Sequence, residues 1–217
     1  HELIPDNLRD EMKIFQKIVL TLLLPLLLIS CDSGKGQQLT PLRPNDILLA
    51  FGDSLTSGVG TRPELSYPVH LSRFLARKVI NAGVPGETST EGARRLPGLL
   101  DQYKPELLLL FHGGNDILRK LDRQALRTNL QRMYEAANQR DIEVVLIAVP
   151  QFGFGIEDVK LYRELADELH IPVLEGTLGK LLGDKRYKSD LTHLNGQGYR
   201  KLAEAVADLL ADNGALR

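Results

Sequence analysis

Beyond residue 45 the chain alternates short, unbroken apolar runs with longer stretches in which apolar side chains return every three or four positions. The runs at 46–51, 79–82, 106–111, 143–149 and 171–174 read as strands, and the periodic stretches near 67–77, 89–102, 123–140, 157–170 and 195–212 read as helices. Strands that are apolar on both faces have to be covered on both, and strands separated by helices run parallel. The pattern therefore predicts an α/β fold: a three-layer α/β/α sandwich around a five-stranded parallel sheet. Gly and Pro gather at the strand ends, where turns belong, and no solenoid-type repeat is present.

The first part of the chain follows a different logic. Met12-Lys13-Ile14-Phe15-Gln16-Lys17 makes a basic start, and an apolar stretch over 18–29 leads into Ser30-Cys31. A membrane-spanning helix needs roughly 20 apolar residues. This stretch is shorter and carries Pro25, so residues 12–30 read as a secretory signal peptide. Leu28-Ile29-Ser30-Cys31 resembles the bacterial lipoprotein processing signal, in which the Cys becomes the lipid-modified first residue of the mature chain. That resemblance implies lipidation at Cys31 and a location in the bacterial cell envelope, on the periplasmic side, held to a membrane surface by the lipid. An unmodified residue at an ordinary cleavage site is the alternative. Cys31 is the single cysteine, so an intramolecular disulfide is excluded. Residues 1–11 precede the start methionine of this reading and carry no assigned function. Residues 31–45, rich in Gly, Gln and Pro, read as the lipidated N-terminus and a flexible tether, leaving 46–217 as one domain.

Composition narrows the function. The 217 residues include 27 Lys plus Arg and 28 Asp plus Glu, without a long block of either sign. Nothing here recruits a nucleic acid. A hydrophobic fraction of 43% suits a globular core.

Four blocks at strand ends carry chemistry. Gly52-Asp53-Ser54-Leu55 follows the first strand, where open α/β sheets place their sites; Gly52 permits a sharp turn, and Ser54 can present both its hydroxyl and its N–H to one space. A Ser after Gly-Asp is equally a turn or helix cap. Asn81-Ala82-Gly83-Val84-Pro85-Gly86-Glu87-Thr88 follows the second strand and offers a glycine N–H beside a helix start, or only a helix-entry loop. Gly113-Gly114-Asn115-Asp116 follows the third strand, and an Asn amide there can donate to an oxyanion, although the four residues also suit an ordinary turn. Asp190-Leu191-Thr192-His193 pairs a carboxylate and an imidazole three residues apart, close enough on a helical turn for one to orient the other, with capping of the last helix as the alternative use of Asp190. His112 adjoins the Gly-Gly-Asn-Asp block and is a rival to His193, but no carboxylate stands near it at comparable spacing on the right side.

The ordered set Gly-Asp-Ser-Leu, Gly loop, Gly-Gly-Asn-Asp and Asp-x-x-His, with Arg95-Leu96-Pro97 between, resembles the GDSL or SGNH hydrolases, and within them the arylesterase, acyl-CoA thioesterase and lysophospholipase branch. The resemblance covers the chain from about residue 46 onward. It implies a flavodoxin-like sheet in the order 2-1-3-4-5, with Ser54 as nucleophile, His193 as general base and Asp190 as its orienter. The oxyanion hole would combine the N–H groups of Ser54 and Gly86 with the Asn115 amide. No metal or organic cofactor is implied. The substrate would be a small ester or thioester, lysophospholipid included, met by a wall of Ile117, Leu118, Pro150, Phe152 and Phe154. Two other readings use the same residues: a carbohydrate O-deacetylase, and an envelope lipoprotein that keeps the fold without turnover.

Overall fold

The computed structural model describes residues 38–151 and 159–216. Five strands, β1 (Ile47–Gly52), β2 (Lys78–Gly83), β3 (Leu107–Phe111), β4 (Glu143–Ile147) and β5 (Val173–Leu174), form one parallel sheet in the order β2-β1-β3-β4-β5. Each lies within about two residues of its expected place. Consecutive side chains of β1, β3 and β4 are buried, so both faces of the sheet are covered. The cover comes from α2 (Tyr67–Leu75), α3 (Ser89–Tyr103), α5 (Arg123–Asn138), α6 (Lys160–Leu169) and α8 (Gly196–Asp212). Of these, α2 packs on α8, and α3 on α5. Among the described residues, three short α-helices, α1 (Ser54–Ser57), α4 (Gly114–Leu118) and α7 (Thr177–Gly183), and the 3-10 helix Pro63–Leu65 have no counterpart among the expected elements. Each is too short to show a hydrophobic period.

The register positions the chemistry. The last residue of β1, Gly52, is paired with Gly83 of β2 on one side and Phe111 of β3 on the other. The three loops that follow therefore leave the sheet abreast, at its carboxyl edge. The chain goes from β1 outward to β2 and then crosses to β3 on the opposite flank, which makes this edge a topological switch point. Gly52 is required by packing: a Cβ there would run into the Phe111 carbonyl and the Thr56 hydroxyl.

One boundary is corrected. Residues 38–45 belong to the folded domain and not to a tether, because the Leu39 N–H donates to the Asn213 carbonyl at 2.7 Å and the Leu42 N–H to that of Ala215 at 2.8 Å. Leu39 and Leu42 are buried in the core, and the Thr40 N–H and hydroxyl donate to the Glu143 carboxylate. Two leucines in a polar, Pro-containing stretch give no periodic signal, so composition alone misplaces them.

Candidate active site

Ser54 opens α1 directly after β1. The Asp53 carboxylate accepts the Leu55 N–H at 3.1 Å and so caps this one-turn helix. The Ser54 hydroxyl lies 3.0 Å from His193 Nε2, although 139 residues separate the two in sequence. Tertiary contacts close that gap. Tyr199 of α8 donates its hydroxyl to the Val59 carbonyl at 2.6 Å, just beyond α1, and Gly60 abuts Ser189 so closely that a Cβ would collide with its side chain.

His193 Nδ1 faces Asp190, 2.8 Å from Oδ2 and 3.1 Å from Oδ1. A carboxylate there holds the ring proton on Nδ1, which leaves Nε2 as the acceptor for the Ser54 hydroxyl. The segment is not the helical turn expected from the spacing. It is a bend closed by an isolated antiparallel bridge between Lys188 and Leu194, and Asp190 Oδ1 accepts the Thr192 and His193 N–H groups at 2.8 Å each. Asp190 does not cap the last helix; Asn195 does, accepting the Gly198 N–H at 3.0 Å. Burial pushes the Asp190 carboxyl up, but the hydrogen bonds from Thr192, the His193 ring and the His193 N–H outweigh it and bring the pKa down to about 2. The carboxylate therefore stays ionised at neutral pH.

Beside Ser54, the loop after β2 places Gly86 at φ +81°, a left-handed conformation that favours glycine. Its carbonyl accepts from Arg119 at 2.9 Å. Among the described residues neither the Ser54 N–H nor the Gly86 N–H has a hydrogen-bond partner, so both remain available to an incoming oxygen. Asn115, in α4, donates from Nδ2 to the Glu87 carbonyl at 3.0 Å and has a longer, 3.4 Å contact with Asp53 Oδ2. Asp53 also accepts the Gly114 N–H at 3.2 Å; burial raises its pKa, against the opposing effect of its backbone donors Leu55 and Gly114. Thus Asp53, behind the serine, aligns the loop that carries Asn115. Asp116, the next residue, turns inward and accepts the Ser89 N–H at 2.8 Å and the Ser89 hydroxyl at 2.6 Å, pinning α4 to the start of α3.

The expected substrate wall divides. Leu118 is exposed, as are Val84, Leu121 and Leu191, while Pro150 is buried at the end of the β4 segment. Ile117 is corrected: it is 5% exposed and packs into the core, because the short helix α4 turns it away from solvent. Phe152, Phe154 and Cys31 lie outside the described residues.

One buried group has a partner that the sequence spacing does not reveal. His112 does have a carboxylate partner: its Nε2 is 3.0 Å from Glu87 Oε2, and Arg95 clasps the same carboxylate with Nε and NH2 at 2.6 Å each. Burial raises the Glu87 pKa, and the bonds from His112 and Arg95 more than reverse the shift, leaving it below the usual carboxylate value. The available signal is Arg95 on the first turns of α3, eight residues from Glu87, but His112 reaches Glu87 only through the strand register.

Comparison with known proteins identifies the family of this chain. Residues 50–201 match the model of the GDSL-like lipase/acylhydrolase family. An arylesterase from Vibrio mimicus is 30% identical over 199 residues, covering 87% of this chain and 96% of that protein. Thioesterase 1/protease 1/lysophospholipase L1 from Escherichia coli strain K12 is 32% identical over 136 residues, 59% of this chain and 65% of the relative. The crystal structure of TesA superposes with a TM-score of 0.70 at 27% identity, over 77% of this chain and 99% of that one.

Proposed function

Since the chain belongs to the GDSL-like lipase/acylhydrolase family and is an ester hydrolase, we propose that it cleaves carboxylic esters or thioesters of short to medium acyl or aryl groups through Ser54, His193 and Asp190. The observation that carries this reading is the continuous chain of contacts from the Ser54 hydroxyl through both ring nitrogens of His193 to the Asp190 carboxylate. In this mechanism Nε2 takes the hydroxyl proton as Ser54 Oγ attacks the acyl carbonyl. The carbonyl oxygen gathers negative charge and is held by the Ser54 and Gly86 N–H groups and the Asn115 amide. His193 then returns the proton to the departing alkoxide or thiolate. Water, deprotonated by the same imidazole, releases the acid and restores the serine.

The acyl preference rests on the apolar side chains around this edge: Val84 before Gly86, Leu118 and Leu121 after Asn115, and Leu191 between Asp190 and His193 are all exposed. Each methylene that such a wall buries contributes about 0.8 kcal/mol, up to the length at which the wall ends. The expected result is a kcat/KM that rises from acetate to butyrate in a series of nitrophenyl esters and exceeds that for an acetylated sugar. A strong preference for the sugar acetate, with no gain from acetate to butyrate, would replace this reading with the O-deacetylase one.

Localisation forms a separate proposal, carried by the motif at Leu28-Ile29-Ser30-Cys31. Cys31 becomes the lipidated N-terminus and holds the enzyme on an envelope membrane from the periplasmic side. More than one acyl chain gives stable anchoring where a single one holds only marginally. Mass spectrometry of the native protein is expected to show a diacylglycerol-modified or triacylated Cys31; an unmodified Cys31, or a mature N-terminus elsewhere, rules this out.

A further inference from the structure

The Arg95–Glu87–His112 cluster contains two charged side chains and a fully buried imidazole, and no step of the hydrolysis uses any of them. Glu87, next to Gly86 in the loop after β2, joins that loop to the one that carries Asn115. Its N–H donates to the Val84 carbonyl at 3.2 Å, closing the turn that holds Gly86, and its own carbonyl accepts the Asn115 amide at 3.0 Å. Its carboxylate is fixed by Arg95, which also donates to the Ala82 carbonyl at 3.0 Å and lies 4.3 Å over the Phe51 ring. His112 completes the link from the other side. The Gly113 N–H donates to His112 Nδ1 at 2.9 Å, so Nδ1 is the acceptor and Nε2 the donor to Glu87. Tyr162 donates its hydroxyl to the His112 carbonyl at 2.8 Å, and Gly92 of α3 leaves just enough room for the imidazole.

We propose that His112 and Glu87 are positioning residues for the oxyanion hole, with Arg95 as their anchor: the cluster sets the distance between the Gly86 N–H and the Asn115 amide. Gly86 is one residue before Glu87, and Asn115 is three residues after His112. The Glu87–His112 bond is therefore a direct strut between the β2 and β3 loops. Loss of the strut lets the two donors drift apart, and a donor displaced by a fraction of an ångström stabilises the transition state less while ground-state binding is little changed. The inference rests on the hydrolytic reading above, with Asn115 as a donor to the oxyanion.

A double-mutant cycle tests it. Asn115→Ala alone is expected to lower kcat by about 10²- to 10³-fold, the usual effect of removing one oxyanion donor. His112→Leu, which removes both ring bonds at similar volume, is expected to lower kcat by about 10- to 100-fold with KM within about twofold, and to weaken a boronic acid transition-state analogue by a matching factor. In the Asn115→Ala background the same His112→Leu change is expected to lower kcat by less than about threefold, since the donor it aligns is already gone. His112→Gln, which keeps a donor toward Glu87, is expected to recover most of the lost kcat, and Glu87→Gln to fall between the two. Should His112→Leu not fold, the cycle is run with Glu87→Gln. Equal losses in both backgrounds, or a variant whose thermal midpoint falls while kcat and analogue affinity hold, would overturn the positioning role and leave the hydrolytic reading intact. An Asn115→Ala enzyme with full kcat would instead remove the hole itself, and this inference with it.

Discussion

Ser54→Ala is expected to abolish ester hydrolysis and leave the domain folded, with kcat lower by roughly 10⁴- to 10⁶-fold and unchanged far-ultraviolet circular dichroism. The size of the loss follows from the covalent step. With the hydroxyl gone, His193 has no alcohol to deprotonate, and only the oxyanion donors and substrate binding remain to assist direct attack by water. The small structural cost follows from the contacts. The side chain makes one hydrogen bond among the described residues, to His193 Nε2, and it stands in a one-turn helix whose cap is supplied by Asp53. One such bond contributes about 0.5–1.5 kcal/mol. Steady-state assay of the purified protein, with a thermal melt beside it, checks both halves. A folded variant with wild-type turnover would end the nucleophile assignment.

The second expected result is a ranking. His193→Ala is expected to reduce kcat about as severely as Ser54→Ala, and Asp190→Asn by one to two orders of magnitude less. In the proposed mechanism the imidazole moves the proton itself, whereas Asp190 fixes the ring and stabilises the imidazolium. An Asn at 190 keeps an oxygen for the Thr192 and His193 N–H groups, so the bend survives, but it turns an amide toward Nδ1 and favours the tautomer that cannot accept from Ser54. Asp190 is also half exposed, 53% for its side chain, so water can take over part of its role. Initial rates of the three variants, measured on one nitrophenyl ester, decide the ranking. Equal or greater damage from the Asp190 change would overturn it.

Much of the fold and site is legible in the sequence because it is local. Unbroken apolar runs report buried parallel strands, and Ser54, Gly86 and Asn115 each sit a few residues past the end of such a run. The features that stay hidden are those that depend on long-range packing. Leu39 and Leu42 look like isolated leucines in a polar leader until the ends of α8 and β4 are brought beneath them. Asp190 and His193 sit three apart, as on a helix, yet the Lys188–Leu194 bridge holds them in a bend. Ile117 and Leu118 are neighbours of similar hydrophobicity, and only the path of α4 decides that one faces the core and the other the solvent. Glu87 and His112 are 25 residues apart and meet because β2 and β3 flank β1 with their ends in register.

Active-site labelling puts Ser54 to the sharpest test. The enzyme is treated with a fluorophosphonate, which phosphonylates a serine only when an adjacent base activates it, and is then digested for peptide mass spectrometry. One adduct per chain is predicted, on Ser54, formed in step with the loss of activity, blocked by prior addition of an ester substrate and absent from Ser54→Ala and His193→Ala. Complete inactivation with the adduct on another residue, or full turnover after stoichiometric labelling of Ser54, would contradict it.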